Sequence, residues 1–542
     1  MLKMGQASFL CFCLGMVCLM SGIWVEAEDP YIYYTWEITY GTVSPLNVPQ
    51  RAILINNQFP GPTIDAVTND NVLVNVINKL DVPFLITWNG IKQRRTPWQD
   101  GVLGTQCPIP PNSNWTYKFQ VKDQIGTYNY FPSIGMQRVA GGYGAFNVNQ
   151  RSVISKPYPE PFEEFTVLVS DWYNTDFKIL EQRLDQGTPL PLPDGLLING
   201  LPSGQAVFTG EKDKLYKFRI SNVGVAVAIN FRIQGHTMTL IEVEGAHTLQ
   251  EIYESLDVHV GQSVTVLVRL HAPLTKDYFI VASSRFTKPI LTTTAILKYA
   301  GSNTPAAKPL PVGPTYHLHW SMKQARTIRL NLTANAARPN PQGSFHYGTI
   351  NVMRTIFLTN TAEKVNGKLR YAINSISHVD PPTPLKLADW YNIPGVFKMN
   401  SVPDMPTNTT PVLAPGVLAF ELHDFVEIIF QNSEYTVQSY HMDGSSFYIA
   451  GYGNGPWTPA MRRRYNLADT VPRHTVQVYP VSWTAILVSL DNKGMWNLRS
   501  AIWSRRYLGQ QLYMRVWNDE KSLFTEADPP PNVLLCGLVK KA

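Results

Sequence analysis

The sequence predicts an all-β chain built from several consecutive β-sandwiches, and three observations predict it. Aromatic residues make up 11% of the chain and are punctuated by 41 Pro and 36 Gly, the composition of many short strands separated by turns. Hydrophobic residues reach 44% while charged residues are only 16%, which supplies apolar material for folded cores and excludes wholesale disorder. At roughly 150 residues per domain, a chain of 542 residues divides into three or four domains rather than one core.

The first element is a leader rather than a strand. Lys3 precedes an apolar stretch from Phe9 through Met20, followed by Ser21, Gly22 and Val25-Glu26-Ala27, the layout of a secretory signal cleaved after Ala27. The apolar stretch is short for a membrane span of about 20 residues, and no later segment is long and apolar enough to be one. A secreted protein is expected, with a signal peptide over residues 1–27. Cys11, Cys13 and Cys18 leave with it. Cys107 and Cys536 then remain in an oxidising compartment, either as one disulfide or as two buried thiols.

Strand signals begin at Trp36. Short β-rich runs cover Arg51 to Asn56, Asn71 to Val76, Trp115 to Val121 and Gly126 to Tyr130, with the period-two apolar spacing of half-buried strands. These place a first sandwich over residues 28–155. A similar set (Thr166 to Ser170, Tyr216 to Ile220, Asn230 to Ile233, Ser263 to Val268, Ala295 to Tyr299) places a second over 156–300. Gly301 to Thr315 is rich in Pro, Gly and small residues and reads as a linker. A strand-rich block from about Thr349 to Val516 places a third sandwich within 316–542. His317-Leu318-His319 just after the linker could present both rings on one strand face to a metal, but a partly exposed edge strand accounts for it better. The basic run Arg462 to Arg464 reads as a solvated loop, and no nucleic-acid partner is expected.

Surface features follow from the compartment. Asn114-Trp115-Thr116, Asn331-Leu332-Thr333 and Asn408-Thr409-Thr410 are glycan acceptor sequences, each requiring a surface position in a secreted chain; Pro411 follows the third. The final residues Asn532 to Ala542 lack the apolar tail of a glycolipid-anchor signal. A net charge of +6 favours association with acidic polysaccharide, an effect sensitive to ionic strength.

Local segments say more about chemistry. Ile86-Thr87-Trp88-Asn89-Gly90-Ile91 runs on to Thr96-Pro97-Trp98-Gln99-Asp100-Gly101, and Gly126-Thr127-Tyr128-Asn129-Tyr130-Phe131-Pro132-Ser133 leads into Gly135-Met136-Gln137-Arg138. Together these resemble the multicopper oxidases, the blue-copper family of laccases and ascorbate oxidase. The resemblance implies three consecutive cupredoxin-like Greek-key β-sandwiches, with the last packing on the first. It also implies the pairing of Cys107 with Cys536, since a family disulfide joins the first domain to the C-terminus.

The family's copper motifs read HWHG, HxH, HPxHLHG and HCHIxxHxxxGM. Here Thr87 and Asn89 stand at the histidines of the first, and Phe131 and Ser133 at those of the second. Aligned on Gly444 and Phe447, the third places Gln438, His441 and Asp443 at its histidines. Aligned on Ile502 and Gly509, the fourth places Arg499, Ser500, Ala501 and Arg505 at His, Cys, His and His, and Gln510 at the axial Met. Only His441 keeps the family residue. A blue-copper site needs a thiolate and imidazoles, and arginine repels a metal cation, so no catalytic residues, no metal site and no cofactor are expected; copper, the family cofactor, could be held at most as one ion through His441.

By the family's geometry Ser133, Asp443 and Arg499 would surround the place of one copper. A buried carboxylate and guanidinium tolerate burial only when paired, so an Asp443–Arg499 ion pair is expected in place of the metal. His441 reads as a hydrogen-bonded core residue, and His236 as a structural histidine. The stretches Ser321 to Arg326 and Ala337 to Gly348 look like the plant ascorbate-oxidase-like group, whose pollen-expressed and root-skewing members are similarly stripped of copper ligands. That resemblance implies a non-catalytic wall glycoprotein acting in directional expansion such as pollen tube growth. The rival is a residual copper-dependent oxidase of the L-ascorbate oxidase type.

Overall fold

The structure is a computed structural model, and it describes residues 29–407, 409–522 and 525–541. The leader, its three cysteines and Asn408 lie outside the described residues. The described residues form six sheets, two to each of three sandwiches.

The same two strand pairings recur in each sandwich. In the first, Tyr31–Val43 runs parallel to Asn71–Asn78 in one sheet, and Ile64–Val67 runs parallel to Gly144–Asn149 in the other. The second repeats this with Glu163–Trp172 beside Leu215–Asn222 and Val207–Gly210 beside Thr292–Tyr299. The third does so with Arg354–Val365 beside Phe425–Asn432 and Val417–Glu421 beside Gln511–Trp517. Parallel neighbours cannot be joined by a tight hairpin, so each chain segment crosses between sheets and closes a two-layer core.

Alternation decides which face is core. Along Asn71–Asn78, Val72, Val74 and Val76 are fully buried while the residues between them are half-exposed. Burying each such side chain stabilises by roughly 1.5–3 kcal/mol. Trp36, Trp88 and Tyr130 fill the centre, with ring centroids of Trp36 and Tyr130 4.7 Å apart.

The linker is pinned to the second sandwich. Gln234 Nε2 donates to the carbonyls of Ala307 and Pro309, both at 3.0 Å, and Arg232 Nε donates to Pro311 O at 2.7 Å. The edge-strand expectation for His317-Leu318-His319 is corrected. His317 is the N-cap of a helix, Leu318–Thr327, and both histidines are exposed. Leu318, Met322 and Ala325 recur at helical spacing and pack on the third core, so the apolar period overrides the two-residue spacing of the histidines. The basic run is not a loop but part of a 3-10 turn, Pro459–Arg464, from which Arg462 reaches back to the buried Glu427.

The chain closes on itself. Cys107 and Cys536 form a disulfide across 429 residues, with Cα atoms 5.9 Å apart. Trp98 Nε1 donates to Ala527 O at 3.0 Å, and the buried Lys386 pairs with Glu526 at 2.5 Å beside the Trp98 ring. Asn114 is exposed and Asn331 half-exposed. Among the described residues no helix is long and apolar enough to cross a membrane.

Candidate functional site

The positions singled out by motif gather into two buried clusters. The first lies where all three sandwiches meet. In the third, Gln438–Met442 and Gly494–Ser500 pair antiparallel, which sets His441 directly across from Arg499. His441 Nε2 lies 2.9 Å from Asp443 Oδ1, and the other Asp443 oxygen accepts from Arg499 Nη1. All three are nearly inaccessible. His441 Nδ1 lies 2.8 Å from Thr475 Oγ1, which itself lies 3.2 Å from Gly261 O of the second sandwich.

The first sandwich supplies Thr87, Asn89, Phe131 and Ser133 from two paired strands, Ile86–Asn89 and Gly126–Pro132, and the residue after. Each has a settled local role or none. Asn89 Nδ2 donates to Gly261 O at 3.3 Å, and Ser133 Oγ donates to Gly101 O at 2.5 Å. Phe131 lies under the Arg138 guanidinium at 3.6 Å and edge-on to Trp503. Thr87 Oγ1 is buried without a hydrogen bond. Ala501 donates its backbone N–H to Ser439 O at 2.7 Å.

Electrostatics explain why this cluster tolerates burial. Desolvation pushes the Asp443 carboxyl up, but the Arg499 charge and the His441 hydrogen bond outweigh it and hold it at about 2. Burial, then Arg499, pushes the His441 imidazole down to about 3, so the ring is neutral. Motif reading missed Asp100. Its carboxyl is raised well above the ordinary range, first by burial and then by the charge of Asp443, so its surroundings favour the protonated form beside the ion pair.

His474 was missed as well. Its ring lies 5.1 Å from that of His441, packed against Gly90, where an added Cβ would sit 2.4 Å from His474 Nε2. Glu244 of the second sandwich holds this segment by accepting from the backbone N–H groups of His474 and Thr475 at 2.7 and 3.1 Å. Thr475, His441 and Asp443 form a hydroxyl–imidazole–carboxylate chain of the kind that activates a nucleophile. Thr475 is fully buried, so no substrate reaches that hydroxyl.

The second cluster centres on Arg505. Its guanidinium forms a bidentate pair with Glu434 at 3.1 and 2.5 Å, donates to Gln510 Oε1 at 3.3 Å and lies over the Tyr371 ring at 4.4 Å. Gln510 Nε2 donates to Tyr440 OH at 2.7 Å and to the Gln438 amide at 3.0 Å. Ser500 Oγ is buried nearby without a hydrogen bond. His236, far from both clusters, is a core residue with its two nitrogens 2.8 Å from Gln234 O and 2.6 Å from Tyr299 OH.

Comparison with known proteins places the chain in a family. Residues 37–153, 163–302 and 382–522 each match the family described as multicopper oxidase. An L-ascorbate oxidase homolog of Brassica napus is 53% identical over 525 residues, 95% of this chain and 94% of the relative. The chain belongs to the multicopper oxidase family. A monocopper oxidase-like protein, SKS1, of Arabidopsis thaliana is 46% identical, covering 98% of this chain and 93% of the relative. Among solved structures, the multicopper oxidase Fet3p superposes with a TM-score of 0.74 at 21% identity, covering 90% of each chain, a likeness of fold.

The two clusters gather positions that the sequence reading set against the family's copper motifs, and their side chains are poor copper donors. Copper of this kind is held by thiolate sulfur and imidazole nitrogen. The clusters instead offer guanidinium groups, amides and a serine hydroxyl, and both nitrogens of His441 are engaged by Thr475 and Asp443. Among the described residues no group of three or more His, Cys, Asp or Glu side chains is placed to hold a metal ion.

Proposed function

We propose that this chain is a secreted, glycosylated multicopper-oxidase-like protein that has lost its copper ligands and acts without catalysis in the cell wall, in directional expansion such as pollen tube growth. The observation that carries the reading is the Asp443–Arg499 pair. A fixed cation stands at a residue that the motif reading matches to a copper ligand, and the neighbouring carboxylate is spent on it. The metal's former role of tying the first and third sandwiches together passes to hydrogen bonds and to the Cys107–Cys536 link. The net charge of +6 supports association with acidic wall polysaccharide.

The rival reading is one copper and residual oxidase activity toward an ascorbate-type substrate. It has in its favour the relatives' names and the His474 imidazole 5.1 Å from His441. Against it stands the full engagement of His441. Metal analysis of the purified secreted protein, with oxygen uptake in the presence of ascorbate or a phenol, separates the two. The expected result is copper well below one ion per chain and no uptake, and stoichiometric copper with oxygen consumption overturns the proposal. Retention on immobilised polygalacturonate at low salt, released as ionic strength rises, tests the polysaccharide association.

A further inference from the structure

Away from both clusters, a cavity of about 700 Å3 opens between the Leu318–Thr327 helix and the Phe447–Asn454 strand, within the roughly 300–1,000 Å3 of small-molecule sites. Four arginines line it, Arg326, Arg329, Arg464 and Arg473, and no Asp or Glu does. Arg329 Nε is paired with Asp469 at 2.5 Å, and Arg473 reaches Glu244 at 3.4 Å. Arg326 is held in place by a 2.6 Å bond from Nη2 to Tyr452 O and has no carboxylate partner among the described residues. Arg464 is exposed and its side chain makes no hydrogen bond or ion pair among them. Two stretches that sequence reading left without a role, Ser321 to Arg326 and Arg462 to Arg464, thus face one another across this space.

The rest of the lining carries no carboxylate and mixes polar with apolar side chains. Asn454, Asn466 and Tyr465 add polar side chains, and Met461 and Trp483 add apolar surface. Guanidinium forks match carboxylates bidentately. We infer that this cavity is a binding site for a carboxylate-bearing oligosaccharide, the carboxylates on Arg326 and Arg464 and the sugar hydroxyls on the wall between. The inference rests on the proposed association with acidic polysaccharide and gives it a site.

Calorimetric titration of the full secreted protein at low salt tests it with three probes: a galacturonate trimer, its methyl ester and inorganic phosphate. The trimer is expected to bind, the ester and phosphate at least about tenfold more weakly, since a lost charge-assisted contact costs that much. Arg464→Gln and Arg326→Gln are each expected to weaken the trimer about tenfold, whereas Lys212→Gln, on the second sandwich, leaves it unchanged. Retention on polygalacturonate without trimer binding overturns the site but leaves the wider association standing. So does an equal effect of all three substitutions. Phosphate binding as tight as the trimer overturns the saccharide assignment, and failure to bind polygalacturonate at all removes both readings.

Discussion

Arg499 and Asp443 meet in the interior of the third sandwich, the guanidinium crossing diagonally from the residue opposite His441 to the carboxylate two positions further along. Neither group has access to water, so each is tolerable only because of the other.

Removing one partner is therefore expected to cost far more than removing both. Arg499→Met leaves a buried carboxylate uncompensated and should lower unfolding free energy by about 3–5 kcal/mol. Arg499→Met with Asp443→Leu should recover most of it. Denaturant unfolding of the two variants checks this, and equal losses in both would show that the pair is not coupled.

Asp100 carries the opposite sign. Its folded carboxyl titrates well above the ordinary value, so between the two values the unfolded chain ionises it before the fold does, and stability is lost as pH rises through that range. Asp100→Asn removes that loss. The variant is expected to melt higher than the parent at pH 7 and to lose its advantage in acid. A lower melting temperature at pH 7 would mean that Asp100 is ionised in the fold.

Acid should destabilise through the histidines. His441 and His259 titrate at about 3 and His236 at about 4 in the fold, against an ordinary 6.5, burial being the main cause in each. Below pH 6.5 the unfolded chain takes up protons that the fold refuses, so stability falls as pH drops toward those values, by about 1.4 kcal/mol per pH unit for each ring. Asp443, held at about 2, adds a further loss between its ordinary 3.8 and 2. His441→Gln should flatten the slope between pH 6 and 4 by one such increment, whatever it does at neutral pH. Denaturant melts across that range measure it, and an unchanged slope would place a proton on His441 in the fold.

The disulfide closes a loop spanning 429 residues, so its loss frees an unusually large unfolded ensemble. Replacing Cys107 and Cys536 by serine should cost near the upper end of about 2–5 kcal/mol. The third sandwich's C-terminal segment, including the Trp98 contact to Ala527, should become protease-sensitive first. Limited proteolysis of the variant reads this directly.

Much of the fold was legible because strand periodicity is local. The alternation of Val72, Val74 and Val76 places a core face without any knowledge of the partner strand. Where two local signals competed, the reading went wrong. The spacing of His317 and His319 suggested a strand, while Leu318, Met322 and Ala325 carried a helical stripe with more apolar area to bury. The two clusters were legible only along the motif frame. Glu434 and His474 lie in segments that no motif marks, while Asp100 lies within a quoted motif segment but at no ligand position, and it belongs to a different sandwich from the ion pair it adjoins.

Sequence by itself determined the sandwich architecture and the chemical character of the motif positions. A serine cannot act as a thiolate, nor a guanidinium as a metal ligand, in any fold. The Asp443–Arg499 pair was already expected along the motif frame; only the tertiary structure decided that Glu434 neutralises Arg505 across 71 residues and that Asp100 adjoins the first pair. The physical reason is range. Side-chain alternation and donor chemistry belong to neighbouring residues, whereas the energy of a buried charge depends on whatever the packed chain brings beside it.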